Sequence, residues 1–147
     1  RRVLFRSDDF GTQNTTEWAR EKLFQILNHR YTNRLPVVIT TNLALEEIEA
    51  RLRSRILDPS VVNRVYIQAP DYRTPMKHSG GDELSSLDLH HHQTFESFSL
   101  RKTEKLTADQ LRSLEDAFNA AKVFAEDPDG WLMLLQRREA HGQPLSN

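Results

Sequence analysis

Cysteine is missing from all 147 residues, which excludes a disulfide framework and every thiolate metal centre. No apolar run approaches the roughly 20 residues that a membrane-spanning helix needs. The first residues lack the basic, apolar and small-residue succession of a secretory signal. A reducing cytoplasm without a membrane partner is therefore expected. No excess of one charge exists either: 20 Lys and Arg face 21 Asp and Glu, for a net charge of −1. With 37% hydrophobic and 28% charged residues, the composition is that of soluble globular material, and the length suits one domain better than two.

Charge is nevertheless distributed unevenly. Residues 1–75 carry 12 basic and 9 acidic side chains, and residues 76–147 carry 8 and 12. Eleven of the twelve cations in the first half are arginine, whose planar guanidinium suits bidentate phosphate contacts, although ordinary surface charge explains the asymmetry equally well. The opening Arg1-Arg2-Val3-Leu4-Phe5-Arg6-Ser7 has no initiator Met and resembles a translated sequencing adapter, so residues 1–7 are read as a non-native leader.

Asn14-Thr15-Thr16-Glu17 has the form of a capping box and predicts a helix, with Ala19, Leu23, Ile26 and Leu27 on its buried face. Asn33, Arg34 and Pro36 end it. Val37-Val38-Ile39-Thr40-Thr41 is β-branched throughout and predicts a central parallel strand covered on both faces. Leu45, Ile48, Leu52 and Ile56 form a helical seam that stops near Asp58-Pro59, and Val65-Tyr66-Ile67 reads as the next strand. Strand, helix and strand make a βαβ unit and an α/β sheet.

Pro, Gly and Ser punctuate the stretch from Pro70 to His92, which predicts a linker over 74–93. Beyond it lie the aromatic segment Thr94-Phe95-Glu96-Ser97-Phe98 and a helix carrying Leu111, Leu114, Ala117, Phe118, Ala121 and Phe124, which ends near Pro128. A buried strand over Trp131-Leu132-Met133-Leu134-Leu135 follows, then an irregular tail over 136–147. Trp18 and Trp131 are expected in the core, and Phe95 and Phe98 against the sheet or the following helix.

Adjacent carboxylates at Asp8-Asp9 stand where an α/β protein ends a strand and opens its crevice. Such a pair suits a magnesium nucleotide, one carboxylate holding Mg²⁺ and the other orienting water, or it is simply solvated or caps a helix. Thr41 and Asn42 close the Val37 strand at the same edge. There the Asn42 amide could meet a γ-phosphate or cap the next helix. Arg55, near the end of the following helix, either complements the helix dipole or projects towards a neighbour's nucleotide. His90-His91-His92 reads as solvated linker, since adjacent loop histidines rarely converge on one ion.

In order, Asp8-Asp9-Phe10-Gly11, Trp18-Ala19-Arg20-Glu21-Lys22-Leu23, Asn28-His29-Arg30-Tyr31, Leu35-Pro36, Thr40-Thr41-Asn42 and Ser54-Arg55 resemble the second half of an AAA+ ATPase of the DnaC/IstB type, the bacterial helicase loaders and transposase helper ATPases. The resemblance runs from Asp8 to about Arg73. It implies Walker B at Asp8 and Asp9, with Asp8 on Mg²⁺ and Asp9 as catalytic carboxylate, sensor 1 at Asn42 beside Thr41, and an arginine finger at Arg55. Residues 94–135 resemble the beginning of the same kind of module, up to the strand that leads into the nucleotide-binding loop. The Gly-Lys-Thr or Gly-Lys-Ser that should follow is replaced by Gln136-Arg137-Arg138-Glu139.

The expected fold is a partial P-loop NTPase core of α/β type, three layers with parallel strands over 8–73, joined by a linker to a helix-plus-strand segment. Either the chain crosses two tandem modules or it is one rearranged module; the tandem window is the favoured account. If the two halves pair into one sheet, Trp131–Leu135 should lie parallel to Val37–Thr41; otherwise the second half is a loosely attached helix and strand. The resemblance implies an intact parent that binds ATP and Mg²⁺ and remodels a replicative helicase or a transposase on DNA beside neighbouring AAA+ protomers. This chain alone is expected to bind neither cofactor. The other reading is a non-catalytic nucleic-acid or protein interaction module that uses the Arg-rich first half.

Overall fold

A computed structural model describes residues 3–8, 10–11, 16–70, 94–100 and 105–136. Four strands are present: β1 (Phe5–Ser7), β2 (Val37–Thr41), β3 (Val62–Ile67) and β4 (Trp131–Gln136). Helix α1 (Glu17–Thr32) links β1 to β2, a 3-10 turn (Leu45–Glu47) and helix α2 (Ala50–Ile56) lie between β2 and β3, and helix α3 (Ala108–Glu126) precedes β4. The strands form one all-parallel sheet in the order β1-β2-β4-β3.

This order shows which of the two arrangements the halves adopt. Val37 pairs with Trp131 and Thr41 with Leu135, while on the other side Val62 pairs with Trp131 and Ile67 with Gln136. The second half is thus no separate appendage: β4 fills the slot between β2 and β3, and the βαβ unit of the first half straddles it. Within the stretch read as a leader, Phe5–Ser7 is the edge strand of the sheet and Phe5 packs against the core. The linker 74–93, the His90–His92 run and the tail after Gln136 lie outside the described residues.

Parallel connections are right-handed, so the chain direction along the sheet dictates which face each helix covers. The steps β1 to β2 and β2 to β3 run one way and carry α1 and α2 on one face. The step from β3 back to β4 runs the other way and carries α3 on the opposite face. Val37, Ile39, Trp131, Met133, Leu135 and Val62 form a single core with Leu27 of α1 and Leu52 and Ile56 of α2. Leu132 alternates to the other face and is buried there, on the side of α3 and its buried Ala117.

Helix α1 is capped at Thr16, two residues beyond Asn14, with the Thr16 hydroxyl accepting from the Ala19 N–H at 3.2 Å. Of its expected face, Leu27 is buried and Leu23 packs against the core, joined there by Phe24 and Tyr31 rather than by Ile26. Ile26 is therefore 43% exposed, and Trp18, expected in the core, is 71% exposed with the Lys22 ammonium over its ring. The seam from Leu45 to Ile56 is not one helix. The 3-10 turn ends at Ile48, whose extended backbone redirects the chain before α2, while Ile48, Leu52 and Ile56 all stay buried. The third strand is longer than Val65–Ile67 and starts at Val62. Helix α3 matches its expected end at Glu126, and Phe95 and Phe98 both rest on its Phe118 ring.

Two local devices fix this arrangement. Tyr31 donates to Asp58 Oδ2 at 2.5 Å, and Ser60 donates to Asp58 Oδ1 from both its N–H and its hydroxyl, which ties α1 to the turn that starts β3. These bonds, the Ser60 hydroxyl first and the Tyr31 phenol second, hold the Asp58 carboxyl below the usual range. A carboxyl depressed in the folded chain stabilises above its unfolded pKa, and that contribution disappears as pH falls through the folded value. Asp58→Asn should accordingly flatten the acid limb of a stability-against-pH curve measured by urea unfolding.

Gly130 is the second device. It enters β4 at φ +64°, with its carbonyl accepting from the Val37 N–H at 3.2 Å and the next N–H, of Trp131, donating to Val61 O at 2.8 Å. An added Cβ would lie 2.6 Å from Val61 O. Gly130→Ala is expected to destabilise the fold by about 2 kcal/mol or more, read from the urea midpoint, because it combines a left-handed backbone with a clash against main chain.

Candidate functional site at the carboxyl edge of the sheet

In an all-parallel sheet every strand ends at one edge, so Asp8, Thr41 and Gln136 are brought together by topology alone. The β1–β2 register sets Asp8 opposite Thr40, and the Thr40 hydroxyl donates to Asp8 Oδ1. Two residues further, the Phe10 N–H donates to Thr40 O at 2.8 Å, which carries the chain across the top of β2. Thr41, 2% exposed, donates its hydroxyl to Phe10 O at 2.8 Å and accepts from the Leu43 N–H at 3.1 Å. Its buried hydroxyl thereby satisfies two loop backbone groups that no ladder pairs. Gly11 (φ +85°) completes the crossing, since a Cβ there would overlap the Leu43 side chain at 2.1 Å.

These contacts assign the expected residues to different tasks. Asp8 lies at the edge as the sequence suggests. Thr41, expected against a cofactor, faces inwards and holds the loops. Asn42 follows directly after β2 and is half-buried. It caps neither following helix, because the residues at those positions are Ala44 and Glu49. The Ala44 N–H is instead satisfied by the Glu47 carboxylate at 2.8 Å. Asp9 lies outside the described residues.

Arg55 is not part of this edge and does not project from the surface. Its Nε donates to Asn28 Oδ1 at 2.8 Å and its Nη1 to Arg51 O at 2.6 Å, and its guanidinium lies over Phe24 and Tyr31 of α1. Arg51 bridges Glu21 of α1, at 3.0 Å, and Glu49. Those two carboxylates raise the Arg51 pKa, Glu49 first, while Arg51 lowers that of Glu21. Arg53 donates to Glu46 O at 3.2 Å, and Arg30 to Val3 O and Pro36 O.

A cleft of about 750 Å³ opens beside the edge, between the end of β1, the start of α1 and the turn before α2. Asp8, Phe10, Glu17, Arg20, Glu47 and Arg51 are among its walls. No group of three His, Cys, Asp or Glu that could hold a metal ion occurs among the described residues. Magnesium ordinarily needs only one or two protein carboxylates and keeps several waters; among the described residues of this edge the groups that would hold it are the Asp8 carboxylate and the neighbouring Thr40 hydroxyl. The phosphates themselves need cationic and backbone donors, and no Gly-Lys-Thr or Gly-Lys-Ser occurs in the sequence. Among the described residues no helix is long and apolar enough to cross a membrane.

Comparison with known proteins gives two relatives in Bacillus subtilis (strain 168). The chain is 29% identical over 79 residues to the phage-like element PBSX protein XkdC, covering 51% of this chain and 27% of that protein. It is 30% identical over 91 residues to the uncharacterized protein YqaM, covering 54% of this chain and 27% of that protein. The chain thus spans about a quarter of the length of these curated relatives. No protein-family model matches it, and no solved structure matches it.

Thr40 and Asn28 are the residues that sequence reasoning passed over. Thr40 could have been found from the parallel pairing of β1 and β2, which brings a hydroxyl level with Asp8. Asn28 gave no signal beyond belonging to the Asn28-His29-Arg30-Tyr31 motif. The buried hydroxyl of Thr41 generates a direct test: Thr41→Val preserves shape and strands the Phe10 carbonyl and Leu43 N–H. It should destabilise the fold by about 1–3 kcal/mol in urea unfolding.

Proposed function

We propose that this chain is part of an AAA+ ATP-binding protein resembling the DnaC/IstB group, whose parent couples ATP hydrolysis to remodelling of a replicative helicase or transposase on DNA. The observation that carries the reading is the β2–β4 ladder. By resemblance β2 ends in sensor 1 and β4 opens the core, and in an AAA+ core those two strands are neighbours. That the first and second halves meet in this register supports a P-loop NTPase core over either half taken alone.

In the parent, Asp8 would hold Mg²⁺ through its water shell beside the Thr40 hydroxyl. Bound Mg²⁺ would neutralise the phosphate oxygens and orient them for attack. Asp9 would position and deprotonate the attacking water, Asn42 would donate to the γ-phosphate, and Arg55 would act on a nucleotide held by an adjacent protomer. The non-catalytic phosphate-binding reading loses support from the arginines, because Arg30, Arg51, Arg53 and Arg55 all make internal contacts.

ATP turnover by the parent protein that contains this segment is the test, with the 147-residue chain alone expected to show none above buffer. Magnesium-dependent hydrolysis should fall by about 10²-fold or more in Asp9→Asn and in Asn42→Ala, the scale of lost acid–base and electrostatic assistance. A parent without ATPase activity, or one whose turnover is unchanged in Asp9→Asn, overturns the reading.

A further inference from the structure

The arginines on α2 differ in how their charge is met. Arg51 is matched by two carboxylates, Glu21 and Glu49. Arg55, one turn on, takes part in none of the ion pairs among the described residues. Its partners are a neutral amide, a main-chain carbonyl and two aromatic faces. The carbonyl belongs to Arg51 on the same helix and travels with it, so the Asn28 amide and the rings of Phe24 and Tyr31 are what hold the guanidinium to α1. A cation with neutral partners retains most of its attraction for an anion, whereas one between two carboxylates does not.

We propose that Arg55 is a held-back anion ligand, latched to α1 by the Asn28 amide, and that release of this latch frees the fork for a phosphoryl anion presented by a second copy of the chain. The identity of that anion rests on the nucleotide reading above; the latch itself rests on the α1–α2 contacts. Asn28 is a positioning residue. It accepts the Nε–H that a phosphate oxygen would otherwise take, so anion and amide compete for one donor. The rings of Phe24 and Tyr31 lie 5.1 and 5.8 Å from the guanidinium carbon and hold the cation against α1 while it waits. Nucleotide contact between copies would then require the latch to open, which makes the arginine available only when an anion is offered.

Tripolyphosphate binding to the full chain, followed by calorimetry and by the ¹⁵N–¹H resonance of Arg55 Nε, tests this. Asn28→Ala removes the competing acceptor and should tighten tripolyphosphate roughly five- to tenfold, the size expected for one released charge-assisted hydrogen bond, with the Arg55 resonance shifting most. Asn28→Asp keeps the shape, supplies a carboxylate and should weaken binding by a similar factor. Adding Arg55→Lys to Asn28→Ala should abolish the gain, since an ammonium lacks the fork. A bolt that merely stiffens the fold would change unfolding midpoints without driving anion affinity in opposite directions for Ala and Asp. Equal affinities in the three Asn28 proteins, or changes of the same sign, would overturn the latch. Unchanged ATP turnover in the parent Asp9→Asn protein overturns the nucleotide reading instead and leaves the latch standing.

Discussion

A parallel strand away from a sheet edge needs main-chain partners on both sides, and β4 is where that requirement falls hardest. Six residues at the far end of the described chain complete the ladders of two strands that do not pair with each other. Withdraw β4 and both β2 and β3 present open edges, while Trp131, Leu132, Met133 and Leu135 lose their cover together. The first half therefore cannot reach its own folded state alone in any simple sense. Its apolar faces are shaped around an absent middle strand, and long-range closure must precede most of the burial that rewards it. Gly130 follows from the same constraint, since the chain must turn into the slot between two backbones with no room for a side chain.

The geometry of the edge is a consequence of that insertion. With all four strands parallel, polar residues placed at strand ends share one rim, and the loops leaving them must cross without orphaning their backbone groups. Thr41 performs that service for Phe10 and Leu43, and the Phe10 N–H bonds to Thr40 O. Asp8 is thereby held by a strand on one side and a locked crossing on the other.

Much of the fold was legible because period and composition agreed. The β-branched run at Val37, the helix around Ala117 and the apolar run at Trp131 allowed one reading each. Ile26 and Trp18 misled because α1 carries apolar residues on more than one face, and only contact with the sheet decides which stripe is buried. The seam through Leu45, Ile48, Leu52 and Ile56 kept its burial while losing its continuity, since 3-10 and α spacing bring the same residues inwards over so short a span. Asp8 meeting Thr40 depends on register between strands 32 residues apart, and register is a tertiary fact. The contacts of Arg55 were not legible for a different reason: a long side chain at a helix end has many directions open to it, and spacing places its Cα, not its guanidinium.

The arginine excess of the first half shows how composition and structure separate. Eleven guanidiniums over 75 residues suit phosphate contacts and ordinary surface charge equally well. In the folded chain Arg30 clamps the carbonyls of Val3 and Pro36 where β1 and β2 begin, Arg51 joins α1 to α2 through Glu21, and Arg53 satisfies the Glu46 carbonyl. These are structural tasks that lysine performs poorly, because a planar fork serves two acceptors at once and its stem and face can lie on an aromatic ring. These three arginines thus direct their guanidiniums at carbonyls and carboxylates of the strands, turns and helices around them. Arg55 differs from these three in having a neutral amide, that of Asn28, as its hydrogen-bond partner on α1, a difference that counting cations does not reveal.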